Sequence, residues 1–330
     1  MKLEMARYIL FLGLILFIAV FIWNPQYTLE NRRSKHPAPL GSTFAWLSHG
    51  RVRYSLSGPR SPGGGDLIVL VAGMGAPFEV MAPIAASLHN KSSKVRTLLF
   101  DVYGRGWSDS PAGPLRPGPA FELYVAQLSE LLFYLNETEK ITLIGLSMGG
   151  AIASGFTKVY PQRVRKLIMF APPVIELGTP AKFFLMVLNS LTDAFLLKLG
   201  RLVIPASLAK NIENEFKTHT AQTQIVINAI LAQDMDVVSS AVIMSILSMD
   251  MSSIYKTYEE MAKIFHGDVL LVWGEADYIA PEYLGRMLKN RLERFRAIEF
   301  LALPKYGHFL VCEGSEVYQS IADYIEKIVR

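Results

Sequence analysis

KITLIGLSMGG, residues 140–150, is the stretch whose reading decides the fold. Its first part, 140–146, is a short, nearly unbroken apolar run, as expected of a strand buried on both faces. Its second part, Gly145-Leu146-Ser147-Met148-Gly149, leads into a helical pattern from Ser147 to about Tyr160. A serine at a sharp strand-to-helix turn is held in a strained backbone conformation. Gly145 and Gly149, two residues before and two after, let the backbone pass closely without side-chain clashes. The hydroxyl then projects above the C-terminal end of the strand, and the helix N-terminus behind it favours developing negative charge. The five-residue pattern alone arises by chance; its place between a strand and a helix makes Ser147 the candidate nucleophile and Gly145 and Gly149 the glycines of its turn.

Outward from this stretch, strand and helix signals alternate. Upstream lie two short strand-like runs around His49-Gly50, a loop at 60–66, the apolar run LIVLVAG (67–73), a helix near 78–89, RTLLFD (96–101) and a helical pattern over 121–135. Downstream lie RKLIMFA (165–171), VLLVWG (269–274) and AIEFLAL (297–303), the last two each followed by a helical stretch. Such alternation predicts an α/β fold with a mainly parallel sheet and right-handed crossovers. One segment, roughly 172–266, lacks strand signals; it reads as an insertion of helices, and its first half, 181–205, is unusually apolar.

A hydroxyl at neutral pH is a weak nucleophile; it needs a base, and the base needs an orienting acid. In a parallel sheet these belong on loops at the C-terminal ends of later strands. Asp277, in WGEADYIAP, and His308, in LPKYGHFL, occupy such loops and give the chain order Ser, Asp, His. Glu275 competes with Asp277 for the acid's place. The other histidines, at 36, 49, 89, 219 and 266, follow no core strand in this way. An oxyanion formed at the substrate carbonyl needs preorganised N–H donors. The backbone of Met148 supplies one expected donor, and that of Met74, in Gly73-Met74-Gly75, the other.

These residues resemble the α/β-hydrolase superfamily over most of 42–330. The strings that carry the resemblance are VLVAGMG, FDVYGRGWSDSP (100–111), IGLSMGG (144–150), LLVWGEADYIAP (270–281) and YGHFLVCE (306–313). FDVYGRGWSDSP is similar to the family's D-x-x-G-x-G-x-S-D turn, which implies a loop-shaping role for Asp101, Gly104, Gly106 and Ser108. Many members carry His-Gly at the oxyanion loop, where this chain has Ala72-Gly73. Serine at position 147 separates the chain from relatives with a nucleophilic aspartate. The members it looks most like are lipid esterases, monoacylglycerol-lipase-like enzymes and hydrolases of ring-cleavage products. The resemblance implies that 172–266 is a helical cap over the active site.

Composition limits the remaining choices. The 330 residues carry a formal charge of +4, without a basic stripe interleaved with aromatics, so no nucleic-acid partner is expected. A single cysteine, Cys312, excludes a disulfide framework or a cysteine-based zinc site within one chain. The expected chemistry needs neither cofactor nor metal. Hydrophobic residues make up 51%, part of the excess lying in YILFLGLILFIAVFIW, Tyr8 to Trp23. As a helix this run reaches about 24 Å, slightly short of the roughly 30 Å of a hydrocarbon core, with aromatics at both ends. A cleaved signal peptide needs small residues at an A-x-A-like site, and the run ends instead in Phe21-Ile22-Trp23-Asn24-Pro25. The expected organisation is therefore a single-pass anchor (1–23), a linker (24–41), a first core part (42–171), a cap (172–266) and a second core part (267–330). A cleaved signal and a buried core helix are the alternatives for the first segment. Basic residues flank the run on both sides, Lys2 and Arg7 before it and Arg32, Arg33 and Lys35 after it, so they do not set its orientation. Sequons stand at Asn90 and Asn136.

The expected function is membrane-anchored hydrolysis of a carboxylic ester of a lipid-like substrate, of the monoacylglycerol type, through an acyl-enzyme on Ser147. C–C bond hydrolysis or acyl transfer on the same three residues is the alternative, and a non-catalytic binding protein on this fold is a third class.

Overall fold

The computed structural model describes residues 28–29, 34–59, 66–111, 113–114, 121–174, 198–205, 212, 216–217, 219–248 and 251–326. An eight-stranded sheet forms the centre, from β1 (Thr43–Leu47), β2 (Gly50–Ser57), β3 (Leu67–Val71), β4 (Arg96–Phe100), β5 (Ile141–Leu146), β6 (Val164–Phe170), β7 (Asp268–Gly274) and β8 (Glu299–Leu303). Its order is β8-β7-β6-β5-β3-β4-β2-β1. Strands β3 to β8 pair in parallel, while the β1–β2 hairpin joins β4 antiparallel. The order reverses beside β5, where doubly wound sheets leave a crevice at the strands' C-terminal ends.

The helices are α1 (Ala82–Lys91), α2 (Glu122–Tyr134), α3 (Met148–Val159), α4 (Ala221–Leu231), α5 (Met235–Ser248), α6 (Met251–Ile264), α7 (Glu282–Leu292) and α8 (Ser315–Glu326). Strand β3 shows why the sheet is sandwiched. All five of its residues are buried, and its side chains alternate between faces. Val69 and Val71 enter one apolar cluster with Leu128 of α2, Phe156 of α3 and Leu288 of α7. Ile68 and Leu70 enter the other with Ile84 of α1 and Ile321 of α8. Each such side chain fully buried stabilises the fold by roughly 1.5–3 kcal/mol.

Two details differ from the sequence reading. Strand β3 ends at Val71, because Ala72 and Gly73 leave the ladder for the loop above it. The expected cap runs to residue 266, yet its last helix, α6, lies against α3 and belongs to the core layer. Ile254, Tyr258, Met261 and Phe265, at helical spacing, are buried in the same cluster as Phe156. Among the described residues, α5 packs on the loop after β4, where a Cβ at Gly104 would overlap Ala241, and the helical residues 198–205 pack on α5, where a Cβ at Gly200 would overlap Ile243. Thr220 caps α4 by accepting the Thr223 N–H at 3.2 Å.

The expected anchor, 1–23, and most of the apolar 181–205 segment lie outside the described residues. Among the described residues, no single helix is long and apolar enough to cross a membrane.

Candidate active site

Ser147 sits between β5 and α3 at φ 51°, ψ −122°. A non-glycine residue there stores on the order of 1–3 kcal/mol of strain, held by the packing around it. The turn allows no side chain on its flanks: a Cβ at Gly145 would overlap the Gly149 carbonyl, and one at Gly149 would overlap the carbonyl oxygen of Val71. Both glycines are thus required by the close crossing of α3 over β5 and β3. The Ser147 N–H donates to the Phe170 carbonyl at 2.8 Å, fixing the turn to the neighbouring strand. Met148 is the first residue of α3, and its N–H, like the others of a first helical turn, has no partner within the helix.

Asp277 and His308 occupy the loops after β7 and β8. Those loops are joined by backbone bonds, Glu275 N–H to Leu303 at 3.0 Å and Ala276 N–H to Tyr306 at 2.9 Å. They bring His308 Nδ1 to 2.8 Å from Asp277 Oδ2, with both residues buried. The other carboxylate oxygen, Oδ1, accepts the N–H groups of Ile279 at 2.9 Å and Ala280 at 2.7 Å. Asp277 is therefore fixed at both oxygens, while the rival Glu275 is exposed. Among the described residues Ser147 Oγ makes no hydrogen bond to His308. Nucleophile–base bonds are commonly loose before substrate binds.

The loop after β3 stands beside the serine. A Cβ at Gly73 would lie 3.2 Å from Ser147 Cβ. Residues 73–76 form a turn closed by Ala76 N–H to Gly73 C=O at 3.3 Å, with Gly75 at φ 73°. Positive φ at the third position is the mark of a type II turn, and among the described residues the Met74 N–H has no hydrogen-bond partner. Ala72 in place of the frequent histidine leaves the turn in place.

Behind the turn lies Asp101, fully buried. Its carboxylate accepts from Phe78 N–H at 2.8 Å and Trp107 N–H at 3.0 Å and faces Arg53 at 3.3 Å. Burial pushes its carboxyl up to about 7, against the opposing pull of Arg53. Arg53 lies between the Phe78 and Trp107 rings, 4.1 and 4.4 Å from their centroids, and pairs with Glu79 as well. Ser108 Oγ closes the turn onto the Asp101 carbonyl at 2.8 Å. A Cβ at Gly106 would overlap the Asp101 carboxylate. Asp101, Gly104, Gly106 and Ser108 thus shape the loop that supports residues 73–76.

Two residues of this neighbourhood escaped the sequence reading. Arg105 is fully buried, with no carboxylate facing it among the described residues. Its guanidinium donates to Tyr103 O, Tyr124 Oη, Ala241 O and Ser245 Oγ, and its Nη2 lies 3.7 Å from Met148 Sδ. Gln233, in the break between α4 and α5, bonds to Gly75 and Gly106. Neither carries a local signal, because the partners that tie Arg105 to Ser245 and Gln233 to Gly75 and Gly106 lie far away in the chain. Among the described residues no cluster of three or more His, Cys, Asp or Glu is placed to hold a metal ion.

Comparison with known proteins bears on the family and the fold. The poly(3-hydroxyalkanoate) depolymerase of Ectopseudomonas oleovorans is 30% identical over 116 residues, covering 35% of this chain and 38% of that protein. The 2-hydroxy-6-oxo-2,4-heptadienoate hydrolase of Pseudomonas putida is 33% identical over 107 residues, 32% of this chain and 37% of that protein. The chain thus spans about two fifths of the length of these curated relatives. Among solved structures, a thermophilic esterase from Thermogutta terrifontis superposes with a TM-score of 0.66 at 19% identity, covering 91% of this chain and 99% of its own. A putative lipase from Acinetobacter baumannii reaches 0.67 at 16% identity, covering 87% and 91%. At such identities the likeness concerns the fold. The family profile described as "Serine aminopeptidase, S33" matches residues 65–314, a span that takes in Ser147, Asp277 and His308. On that match, which takes in well over half of its length, this chain belongs to the S33 serine aminopeptidase family of hydrolases and has the α/β-hydrolase fold.

Proposed function

We propose that this chain is a serine hydrolase that cleaves a carboxylic ester of a lipid-like substrate, of the monoacylglycerol type, held at a membrane by residues 1–23. The buried 2.8 Å bond between His308 Nδ1 and Asp277 Oδ2 carries the reading. With Nδ1–H donated to the carboxylate, Nε2 is the acceptor and is free to take a proton. In the proposed course, Ser147 Oγ attacks the ester carbonyl and its proton passes to His308 Nε2. The carbonyl oxygen, now negative, receives the N–H groups of Met74 and Met148. Collapse breaks the C–O bond, and the alcohol leaves with the proton held by His308. Water, deprotonated by His308, then attacks the acyl-enzyme and releases the acid and Ser147.

Exposed apolar side chains favour a lipid-like substrate. Leu202 and Val203 in the cap, Ile225 on α4, and Tyr278 and Ile279 directly after Asp277 are all at least half exposed. Of these, Tyr278 and Ile279 adjoin Asp277 in the chain, and exposed apolar side chains beside a catalytic residue suit acyl chains and membrane surfaces. A fluorophosphonate probe tests the nucleophile: it should label the wild type and fail on Ser147→Ala, and labelling that survives the substitution overturns the assignment. A series of p-nitrophenyl and monoacylglycerol esters of increasing chain length tests the substrate class.

C–C bond hydrolysis is the second reading, favoured by the similarity to the heptadienoate hydrolase. Acyl transfer uses the same acyl-enzyme with an alcohol in place of water. Product analysis with an ester, with and without an alcohol acceptor, and with a vinylogous diketone separates the three.

A further inference from the structure

Gln233 belongs to the cap by sequence, yet its side chain, 1% exposed, holds two loops of the core. Its Oε1 accepts the Gly106 N–H at 2.6 Å. Its Nε2 donates to the Gly75 carbonyl at 2.9 Å and to the Ile230 carbonyl, in the last turn of α4, at 3.0 Å. The partners fix the amide's orientation, since an N–H must meet the oxygen and two carbonyls must meet the NH2 group. Both amide hydrogens and the oxygen are used, a set that neither a carboxylate nor an apolar side chain reproduces. Gly75 is the third residue of the 73–76 turn, so the bond fixes the peptide that follows Met74–Gly75 beside Ser147.

The position of Gln233 is itself well held. It lies where α4 and α5 bend by 86°. The next residue, Asp234, accepts the Asp236 N–H at 3.2 Å through Oδ1 and the Lys35 N–H at 2.9 Å through Oδ2. A Cβ built on Gly75 would meet Val242 and Val238 of α5 at 3.7 and 3.9 Å, and one on Gly104 would overlap Ala241 of the same helix.

We propose that Gln233 is a positioning residue that couples the docked cap to the oxyanion site: with the cap seated, its amide holds the 73–76 turn so that the Met74 N–H points at the developing oxyanion. Without this amide the Gly75 carbonyl loses its side-chain partner from the break between α4 and α5. The inference rests on the proposed role of Met74 and Ser147. It differs from a purely structural role in its consequence, because a misaligned donor weakens transition-state binding and leaves ground-state binding intact.

The test uses the full chain in detergent or lipid, with p-nitrophenyl butyrate as substrate and an alkyl trifluoromethyl ketone as inhibitor. The ketone carbon is attacked by Ser147 Oγ and gives a tetrahedral adduct with a negative oxygen. For Gln233→Leu the expected result is a fall in kcat of about tenfold or more, equivalent to one well-placed hydrogen bond. KM should stay within about twofold, and affinity for the ketone should fall by the same factor as kcat/KM. Gln233→Glu supplies a second readout within one folded protein. Its ionised carboxylate opposes the Gly75 carbonyl, whereas its protonated form donates to it, so its activity relative to wild type should rise as pH falls. Unchanged kcat in Gln233→Leu, or equal loss of substrate and ketone binding, overturns the proposal, as does a flat pH ratio for Gln233→Glu. Ser147→Ala is run alongside: activity that survives it refutes the functional reading itself, whereas an inactive Ser147→Ala with fully active Gln233 variants refutes only the role of Gln233.

Discussion

Asp277→Asn is the substitution for which the structure makes the sharpest forecast. The side chain changes by one atom, so the fold should hardly notice it. The two ends of the carboxylate are nevertheless not equivalent. Oδ1 accepts two backbone N–H groups, from Ile279 and Ala280, and an amide nitrogen placed there would oppose both donors. The asparagine must therefore keep its oxygen toward residues 279–280 and turn its NH2 group toward His308. Facing a donor, Nδ1 becomes the acceptor, and the proton of the neutral ring moves to Nε2. That nitrogen can then no longer take the proton of Ser147. Loss of the correct tautomer in a Ser-His-Asp arrangement costs about 10⁴-fold in kcat, equivalent to about 5.5 kcal/mol in the barrier. The assay is p-nitrophenyl ester turnover together with the rate of fluorophosphonate labelling. Both should fall by about the same factor, because both need a deprotonated Ser147 Oγ. Thermal unfolding should show a change equivalent to less than about 2 kcal/mol, since every buried polar group keeps a partner. Glu275→Gln is the control, exposed and expected to leave turnover within about twofold. A variant Asp277→Asn that keeps more than about a tenth of wild-type kcat/KM would show that the tautomer argument is wrong.

Two further outcomes follow from the geometry, and a third tests the proposed anchor. Gly149→Ala forces a methyl onto the Val71 carbonyl oxygen; it should destabilise the protein by about 3 kcal/mol or more, read as a lowered urea midpoint, because backbone rather than a flexible side chain must yield. Asp101, lifted from 3.8 to about 7 by burial, keeps its proton in the folded state where the unfolded chain has lost it. Its contribution to stability is therefore full below about pH 4 and is lost as pH rises to about 7, at up to about 1.4 kcal/mol per pH unit. The stability of Asp101→Asn relative to wild type should accordingly climb across that window in urea titrations, and a flat difference would refute the shift. Removal of residues 1–27 should release the protein from membranes in a carbonate wash while p-nitrophenyl butyrate turnover persists; a truncated form that stays membrane-bound would refute anchoring by that segment.

The sequence by itself determined the sheet and the three candidate site residues. Short buried strands show as continuous apolar runs, and a strained turn between strand and helix demands glycines at fixed spacing around Ser147. Asp277 and His308 were legible for the same reason: a residue's place just after a strand fixes which edge of a parallel sheet it reaches. Tertiary structure decided what local pattern cannot carry. It paired Asp277 with His308 and left Glu275 exposed, a difference that two acids two residues apart do not declare in sequence. It moved α6 from the cap to the core, because an amphipathic stripe declares that a face is buried but not against which partner. It also brought Gln233 to Gly75 and Arg105 to Ser245, contacts between residues 158 and 140 positions apart. Such pairs leave no trace in any window of sequence, since chain folding alone sets which distant groups satisfy one another's hydrogen bonds once both are buried.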